Sequence, residues 1–132
     1  MELSSANFKR IHIEVIPHKK IRMGYEGDYW VDESGVLQIR VAEYPNDIQE
    51  IGTIIHELLE VWKLYKRGIT IEEVEAFDVA HEYHEDPGCL PDAPYFVEHM
   101  ESMDVEKLLC RQMLFNWNEY YNTPPIGAEG NI

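Results

Sequence analysis

The chain is poor in cysteine, and it has no long apolar run. Its two cysteines, Cys89 and Cys110, are too few among 132 residues for a disulfide framework or a cysteine-based zinc knuckle, so free thiols are expected. No apolar stretch approaches the roughly 20 residues that span a bilayer, and the N-terminus lacks the apolar core of a signal peptide. We therefore expect a cytoplasmic protein with no membrane partner.

Positive charge is also scarce. Eleven Lys and Arg residues oppose twenty-five Asp and Glu residues, which gives a formal net charge of −14. Such a surface repels a phosphate backbone, so no nucleic-acid partner is expected, whereas a cationic partner or a role in imitating DNA stays open. The sequence also lacks a phosphate-cradling glycine loop and a Gly-x-Ser-x-Gly elbow.

The segment from Asn46 to Arg67 has a strong helical period. Asn46 or Asp47 can cap its start, and Gly68 can end it. Its apolar residues recur every three or four positions, which predicts a central helix with this stripe facing the core. The stripe consists of Ile48, Ile51, Ile55, Leu58, Trp62 and Tyr65.

The same helix carries the pentad His56-Glu57-Leu58-Leu59-Glu60. His56 and Glu60 lie one turn apart on one face, where two side chains can bind one metal ion, and Glu57 can act as general base toward water on that ion. The pentad resembles the His-Glu-x-x-His helix of zincin metallopeptidases, with Glu60 at the position of their second histidine. This resemblance implies an edge strand beside the site. A carboxylate ligand suits zinc and also manganese or iron, and a solvated His/Glu helix face is the alternative.

Three strand segments precede the central helix: Lys9 to Ile16, Asp28 to Asp32 and Val36 to Glu43. The first and third alternate apolar and polar residues, and Glu33-Ser34-Gly35 is typical of a hairpin connection between the second and third. We expect an α+β fold, in which a small N-terminal antiparallel sheet is followed by three helices with the zincin-like helix at the centre.

A second helix is predicted from Ile71 to about His84, because Thr70 and Glu73 form a capping box. Asp78 and His81 fall on or beside its apolar face, so both should be partly buried and need polar partners. We expect them to support the metal ligands through hydrogen bonds. For Asp78, a hydrogen bond to a loop is the alternative.

A loop of some ten residues and a third helix, Tyr95 to about Asn118, follow. His99 lies in the apolar stripe of this helix and is the best candidate for a third metal ligand, the alternative being a lone buried histidine. Glu106 lies roughly 10 Å further along the axis, too far to bind the same ion directly as His99. An outer partner of a ligand, or a separate buried pair, is its expected role.

The Pro- and Gly-rich residues 121–132 predict a flexible tail behind a single domain of residues 1–120. A wider resemblance, covering roughly Ile51 to Leu109, is to small uncharacterised phage and prophage proteins. It rests on His56-Glu57-Leu58-x-Glu60, Ala76-Phe77-Asp78, Asp92-x-Pro94-Tyr95, His99 and Glu106.

The function favoured by these patterns is a zinc-dependent hydrolase that acts on a peptide, protein or other amide. His56, Glu60 and His99 would hold the ion, and Glu57 would be the general base. The alternative is a non-catalytic, acidic phage interaction protein in which the same cluster is structural.

Overall fold

Three strands form one small mixed sheet. The computed structural model describes residues 8–128, and its strands are β1 (Ile11–Ile16), β2 (Gly27–Val31) and β3 (Leu37–Ala42). The central strand β3 runs parallel to β1 and antiparallel to β2. The expected antiparallel pairing is therefore wrong for β1, because side chains alternate identically in both kinds of strand and the pattern cannot separate them. The strand that enters the central helix is the middle strand rather than an edge strand, and β2 is the edge beside the site.

The helices are α1 (Asp47–Arg67), α2 (Ile71–Ala80), α3 (Phe96–Gln112) and α4 (Trp117–Asn122), so the α+β class is confirmed. The predicted caps are present: the Asn46 side chain accepts from the backbone N–H of Ile48, and Gly68 adopts φ 73° after the last turn. Thr70 likewise accepts from the backbone N–H of Glu73 at the start of α2. Local capping chemistry thus sets these three helix ends.

The buried residues of α1 coincide only in part with the predicted apolar stripe. Ile51 and Trp62 of that stripe are 50% and 43% exposed, whereas His56 and Glu60 are 6% and 4% exposed. Helix α1 contacts β2, β3 and α3, and the contact with α3 covers the face that carries these polar side chains. Burial of a polar face is tolerated when its groups are paired with one another.

Helix α2 ends at Ala80, earlier than predicted. The His81 ring stacks on Phe77, with centroids 3.9 Å apart, and its Nδ1 bonds to the Phe77 carbonyl oxygen at 2.8 Å. A side chain that competes for backbone groups in this way favours a helix end.

The predicted third helix is broken in two. Beyond α3, Leu114 adopts φ 54°, its N–H donates to the Arg111 carbonyl, and the N–H of Phe115 donates to the Cys110 carbonyl. This is the Schellman arrangement that ends many helices, with leucine at the position where glycine is usual. Asn116 then caps α4 by accepting from the Glu119 N–H at 3.0 Å. The break turns α4 back toward α3.

The apolar core lies where α1 meets β3, around Leu37, Ile39, Val41, Val61 and Leu64, each 0% exposed. Strand β1 is exposed along most of its length, in contrast to the half-buried strand expected. Both cysteines are free thiols, as predicted. Among the described residues, none of the helices combines the length and the hydropathy needed to cross a bilayer.

The tail predicted to be flexible is anchored to the domain as far as Ile126. Gln49 donates from its side chain to the carbonyl oxygens of Tyr120 and Thr123, and the Ile126 N–H donates to the Glu43 carbonyl. Pro125 is fully buried. The prediction of a flexible tail also covers residues 129–132, which lie outside the described part of the chain.

Candidate metal centre

Three side chains predicted as metal ligands converge between α1 and α3. His56 Nε2 lies 3.1 Å from His99 Nδ1 and 3.6 Å from Glu60 Oε1, and Glu60 Oε1 lies 3.0 Å from His99 Nδ1. His56 and Glu60 come from successive turns of α1, and His99 comes from the first turn of α3. The one-turn spacing predicted the pair His56 and Glu60, and the apolar stripe of the third helix predicted His99. The three side chains form a group that could hold a metal ion.

The separations of these atoms are compatible with one bound metal ion, for which zinc serves as an example. A tetrahedral ion with bonds of about 2.1 Å keeps its ligand atoms about 3.4 Å apart. The observed separations of 3.0, 3.1 and 3.6 Å lie on both sides of that distance. Three protein ligands, rather than four, are also the number found in catalytic zinc sites, which keep one position for water or substrate.

His56 is oriented by a chain of two further side chains. Its Nδ1–H donates to Glu106 Oε2 at 2.7 Å, and the Tyr120 hydroxyl donates to Glu106 Oε1 at 2.6 Å. With its proton held on Nδ1, a neutral His56 presents the Nε2 lone pair to the site. Glu106 therefore serves as the outer partner of His56, one of the two roles expected for it.

Asp86 orients His99 in the same way, a role that the sequence patterns did not predict. His99 Nε2–H donates to Asp86 Oδ2 at 3.1 Å, and the Cys89 thiol donates to the same oxygen. Gly88 leaves room for this imidazole, since a Cβ atom there would lie 2.7 Å from the His99 ring. Asp86, Cys89 and His99 are also close enough together to hold an ion. Their hydrogen bonds, however, make Asp86 and Cys89 a support for the His99 ring.

The charges within the cluster fit a divalent cation. Burial lowers the pKa of His99, but hydrogen bonds with Asp86 and Glu60 outweigh it and raise that pKa to about 10. The pKa of His56 is raised too, because hydrogen bonds with Glu106 and Glu60 overcome the effect of burial. Positive charge on the two imidazoles thus offsets part of the negative charge of the three carboxylates bonded to them. A divalent ion would bring the same charge while displacing both protons.

The pKa values of Glu60 and Glu57 shift in opposite directions in this environment. Burial raises the pKa of Glu60, yet hydrogen bonds with His56 and His99 overcome it and lower the pKa to about 2. Burial, aided by the charge of Glu60, raises the pKa of Glu57 to about 8. The Glu57 carboxylate passes close over Gly27, where a Cβ atom would lie 2.7 Å from its Oε1. Glu57 lies outside the group of converging ligand atoms and lines the cavity beside it.

Asp78 and His81 do not support the ligands in the expected way. Asp78 accepts a hydrogen bond from Tyr95, whose ring packs edge-on against His99, and makes no hydrogen bond with His56 or His99 among the described residues. His81 bonds to the Phe77 carbonyl instead. The hydrogen bonds to the ligand imidazoles come instead from Asp86, which was not predicted, and from Glu106, which was.

The three converging side chains and Glu57 line a cavity of about 720 Å³. Carboxylates from every side of it, including Glu26, Asp28, Glu75, Asp78 and Asp86, give the lining a strongly acidic character. Arg22 is the only Lys or Arg in the described lining, and it is already paired with Asp28 and Glu75. A cavity of this charge concentrates cations.

No protein-family model, curated protein or solved structure matches this chain.

Proposed function

We propose that this protein is a metal-dependent hydrolase of peptide or other amide bonds, with zinc as the preferred ion and manganese or iron as alternatives. One observation carries the proposal: His56, Glu60 and His99 converge at zinc-compatible distances on the wall of a cavity that Glu57 also lines. A purely structural site would favour four protein ligands and no cavity. The resemblance of the helix motif to zincins points to the same chemistry.

Each residue has a defined part in the proposed reaction. Zinc would act as a Lewis acid that polarises a carbonyl group and lowers the pKa of water. Glu57 accepts a proton from the attacking water and later delivers it to the leaving amine. Glu106 and Asp86 fix the two imidazoles through their second nitrogen atoms. The raised pKa of Glu57 suits this exchange near neutral pH, and a cation next to it would lower that value.

The acidic lining favours substrates that carry positive charge. Its one guanidinium group, on Arg22, is paired with two carboxylates and therefore adds little positive potential to the cavity. Lys- or Arg-containing peptides would be attracted to this cavity and acidic peptides repelled. The proposed substrate is thus a basic peptide or protein segment.

Metal content tests the site itself. Protein purified without a His tag and without added metal should contain about one equivalent of zinc, manganese or iron per chain by elemental analysis, as a single three-ligand site requires. A protein that retains none of these metals, and takes up none when titrated, would overturn both the site and the hydrolase.

The Glu57→Gln variant tests the chemistry. Zinc-loaded wild type should cleave members of a mixed peptide library, followed by mass spectrometry, while Glu57→Gln should keep the metal and lose cleavage. Glu75→Gln removes another carboxylate from the same cavity and is the matched control that should still cleave. If wild type binds zinc but cleaves nothing, or if Glu57→Gln cleaves as fast as wild type, the acidic interaction protein with a structural metal becomes the better account.

A further inference from the structure

Tyr29 places a buried hydroxyl at the candidate site without giving it a partner. The residue lies on β2, is 6% exposed and lines the same cavity as Glu57 and Glu60. Within residues 8–128 its hydroxyl group finds no hydrogen-bond partner. The Glu60 carboxylate is near enough for its charge to act on the hydroxyl, but the two make no hydrogen bond of acceptable geometry.

An unpaired buried hydroxyl is unusual and calls for a physical explanation. Buried polar groups in native proteins nearly always have a partner, and leaving one unpaired lowers stability. Ser102, another such case, sits fully buried between His99 and Glu106 on the face of α3 that meets α1, where its small size suits close helix packing. Tyr29 differs because it borders a cavity and stands beside the converging ligands.

The Tyr29 hydroxyl is available as a hydrogen-bond donor. A phenol has an ordinary pKa of about 10 and therefore keeps its proton at neutral pH. Such a donor bonds more strongly to an oxygen that carries negative charge than to a neutral one.

We propose that Tyr29 is a catalytic residue that donates a hydrogen bond to the oxygen of a ligand bound beside His56, Glu60 and His99. For an amide substrate this oxygen is that of the carbonyl group. This inference rests on the proposed function. When water adds to the carbonyl carbon, the C=O electron pair moves onto the oxygen, Glu57 takes the water proton, and Tyr29 stabilises the new charge while keeping its own proton.

Binding of an oxyanion to the cobalt-loaded protein tests the inference without a substrate. Acetohydroxamate would be titrated into the Co²⁺ forms of wild type and Tyr29→Phe, with visible absorption of the cobalt as the signal. Tyr29→Phe should bind acetohydroxamate about 10- to 100-fold more weakly, as expected for a lost hydrogen bond to a charged group, while its affinity for Co²⁺ stays unchanged. Tyr25→Phe is the matched control, because Tyr25 also lines the cavity with an unpaired hydroxyl and should leave both affinities unchanged.

The outcomes separate the two proposals. Equal acetohydroxamate affinity in wild type and Tyr29→Phe would overturn the role of Tyr29 and leave the metal site intact. A Tyr29→Phe variant that loses Co²⁺ would also overturn it, since Tyr29 would then support the ligands. A wild type that binds no Co²⁺, or binds Co²⁺ without acetohydroxamate, would instead defeat the proposed hydrolase and the role of Tyr29 with it.

Discussion

The hydroxyl of Tyr120 occupies the place where a side chain at Gly52 would begin. A Cβ atom added at Gly52 would overlap that hydroxyl and lie 2.9 Å from Tyr120 Cζ. This close approach allows Tyr120 on α4 to donate to Glu106 on α3, and Glu106 in turn accepts from His56 on α1. Three helices are thus joined at one candidate ligand because one residue of α1 has no side chain.

Gly52→Ala should therefore weaken metal binding from a distance. The added methyl group would push Tyr120 away and release Glu106 from one of its two hydrogen bonds. We expect zinc affinity to fall about 10- to 100-fold, as for other losses of support to a ligating histidine. The free energy of unfolding should fall by about 1–3 kcal/mol because the site becomes overpacked. Competition titration with a zinc chelator and urea unfolding of the metal-free protein measure the two effects.

A double-mutant cycle with Tyr120→Phe identifies the cause. Phenylalanine lacks the overlapping hydroxyl, so the cost of Gly52→Ala should be smaller in the Tyr120→Phe background than in wild type. If Gly52→Ala costs the same in both backgrounds, its effect arises within α1 and the link through Tyr120 is wrong.

The Glu60→Gln variant should lose metal more completely than a variant of any outer partner. Glu60 is a direct ligand in the proposed site, so its loss should exceed the roughly 10- to 100-fold cost of removing an outer hydrogen bond. Glu98 offers a matched control, since it is 3% exposed on α3 and paired with Arg67 at 2.7 Å, outside the cluster. Glu98→Gln should change stability and leave zinc affinity intact. Equal zinc affinities in the two variants would remove Glu60 from the site.

The parts of this structure that local chemistry determines could be predicted from the sequence. Asn46 and Thr70 start helices through bonds to backbone groups two or three residues away. The three converging side chains could be predicted for a similar reason. His56 and Glu60 are one helical turn apart, and His99 is a polar residue in an otherwise apolar stripe.

The other features of the fold and of the site depend on tertiary packing, which leaves no periodic pattern in the sequence. The apolar stripe of α1 gave no sign that the helix also buries a polar face, which the pairing of His56 and Glu60 with His99 makes possible. Leu114 adopts a backbone conformation in which glycine is usual, so the sequence has no glycine there to predict the break after α3. Asp86 sits in a Pro-containing loop, where only the fold reveals that it meets His99.

Asp78 should make stability depend on pH in a definite direction. Burial raises its pKa to about 6, although the bond from Tyr95 opposes this, compared with about 3.9 in an unfolded chain. The folded state then holds the Asp78 proton more tightly, so ionisation of Asp78 lowers stability as pH rises from about 4 to 6, and the loss persists above pH 6. Asp78→Asn should lose less stability than wild type over this range.

Urea unfolding of the metal-free protein between pH 4 and pH 7 measures the difference. Asp104→Asn, at an exposed position of α3, is the control and should follow the wild-type curve. Parallel curves for wild type and Asp78→Asn would show that Asp78 ionises equally easily in both states.

Variants of the neighbouring residues Asp86 and Glu85 should differ clearly in zinc affinity. Asp86→Asn would replace the carboxylate that accepts the hydrogen bond from His99 Nε2–H with a weaker, neutral acceptor. The His99 ring would then be held less firmly and be less basic toward an ion. Zinc affinity should fall about 10- to 100-fold, measured by competition titration. Glu85→Gln makes the same change in charge one residue earlier, at an exposed position outside the cluster of hydrogen bonds, and should bind zinc as wild type does. If both variants weaken zinc binding equally, the acidic potential of the cavity matters and the specific bond from His99 to Asp86 does not.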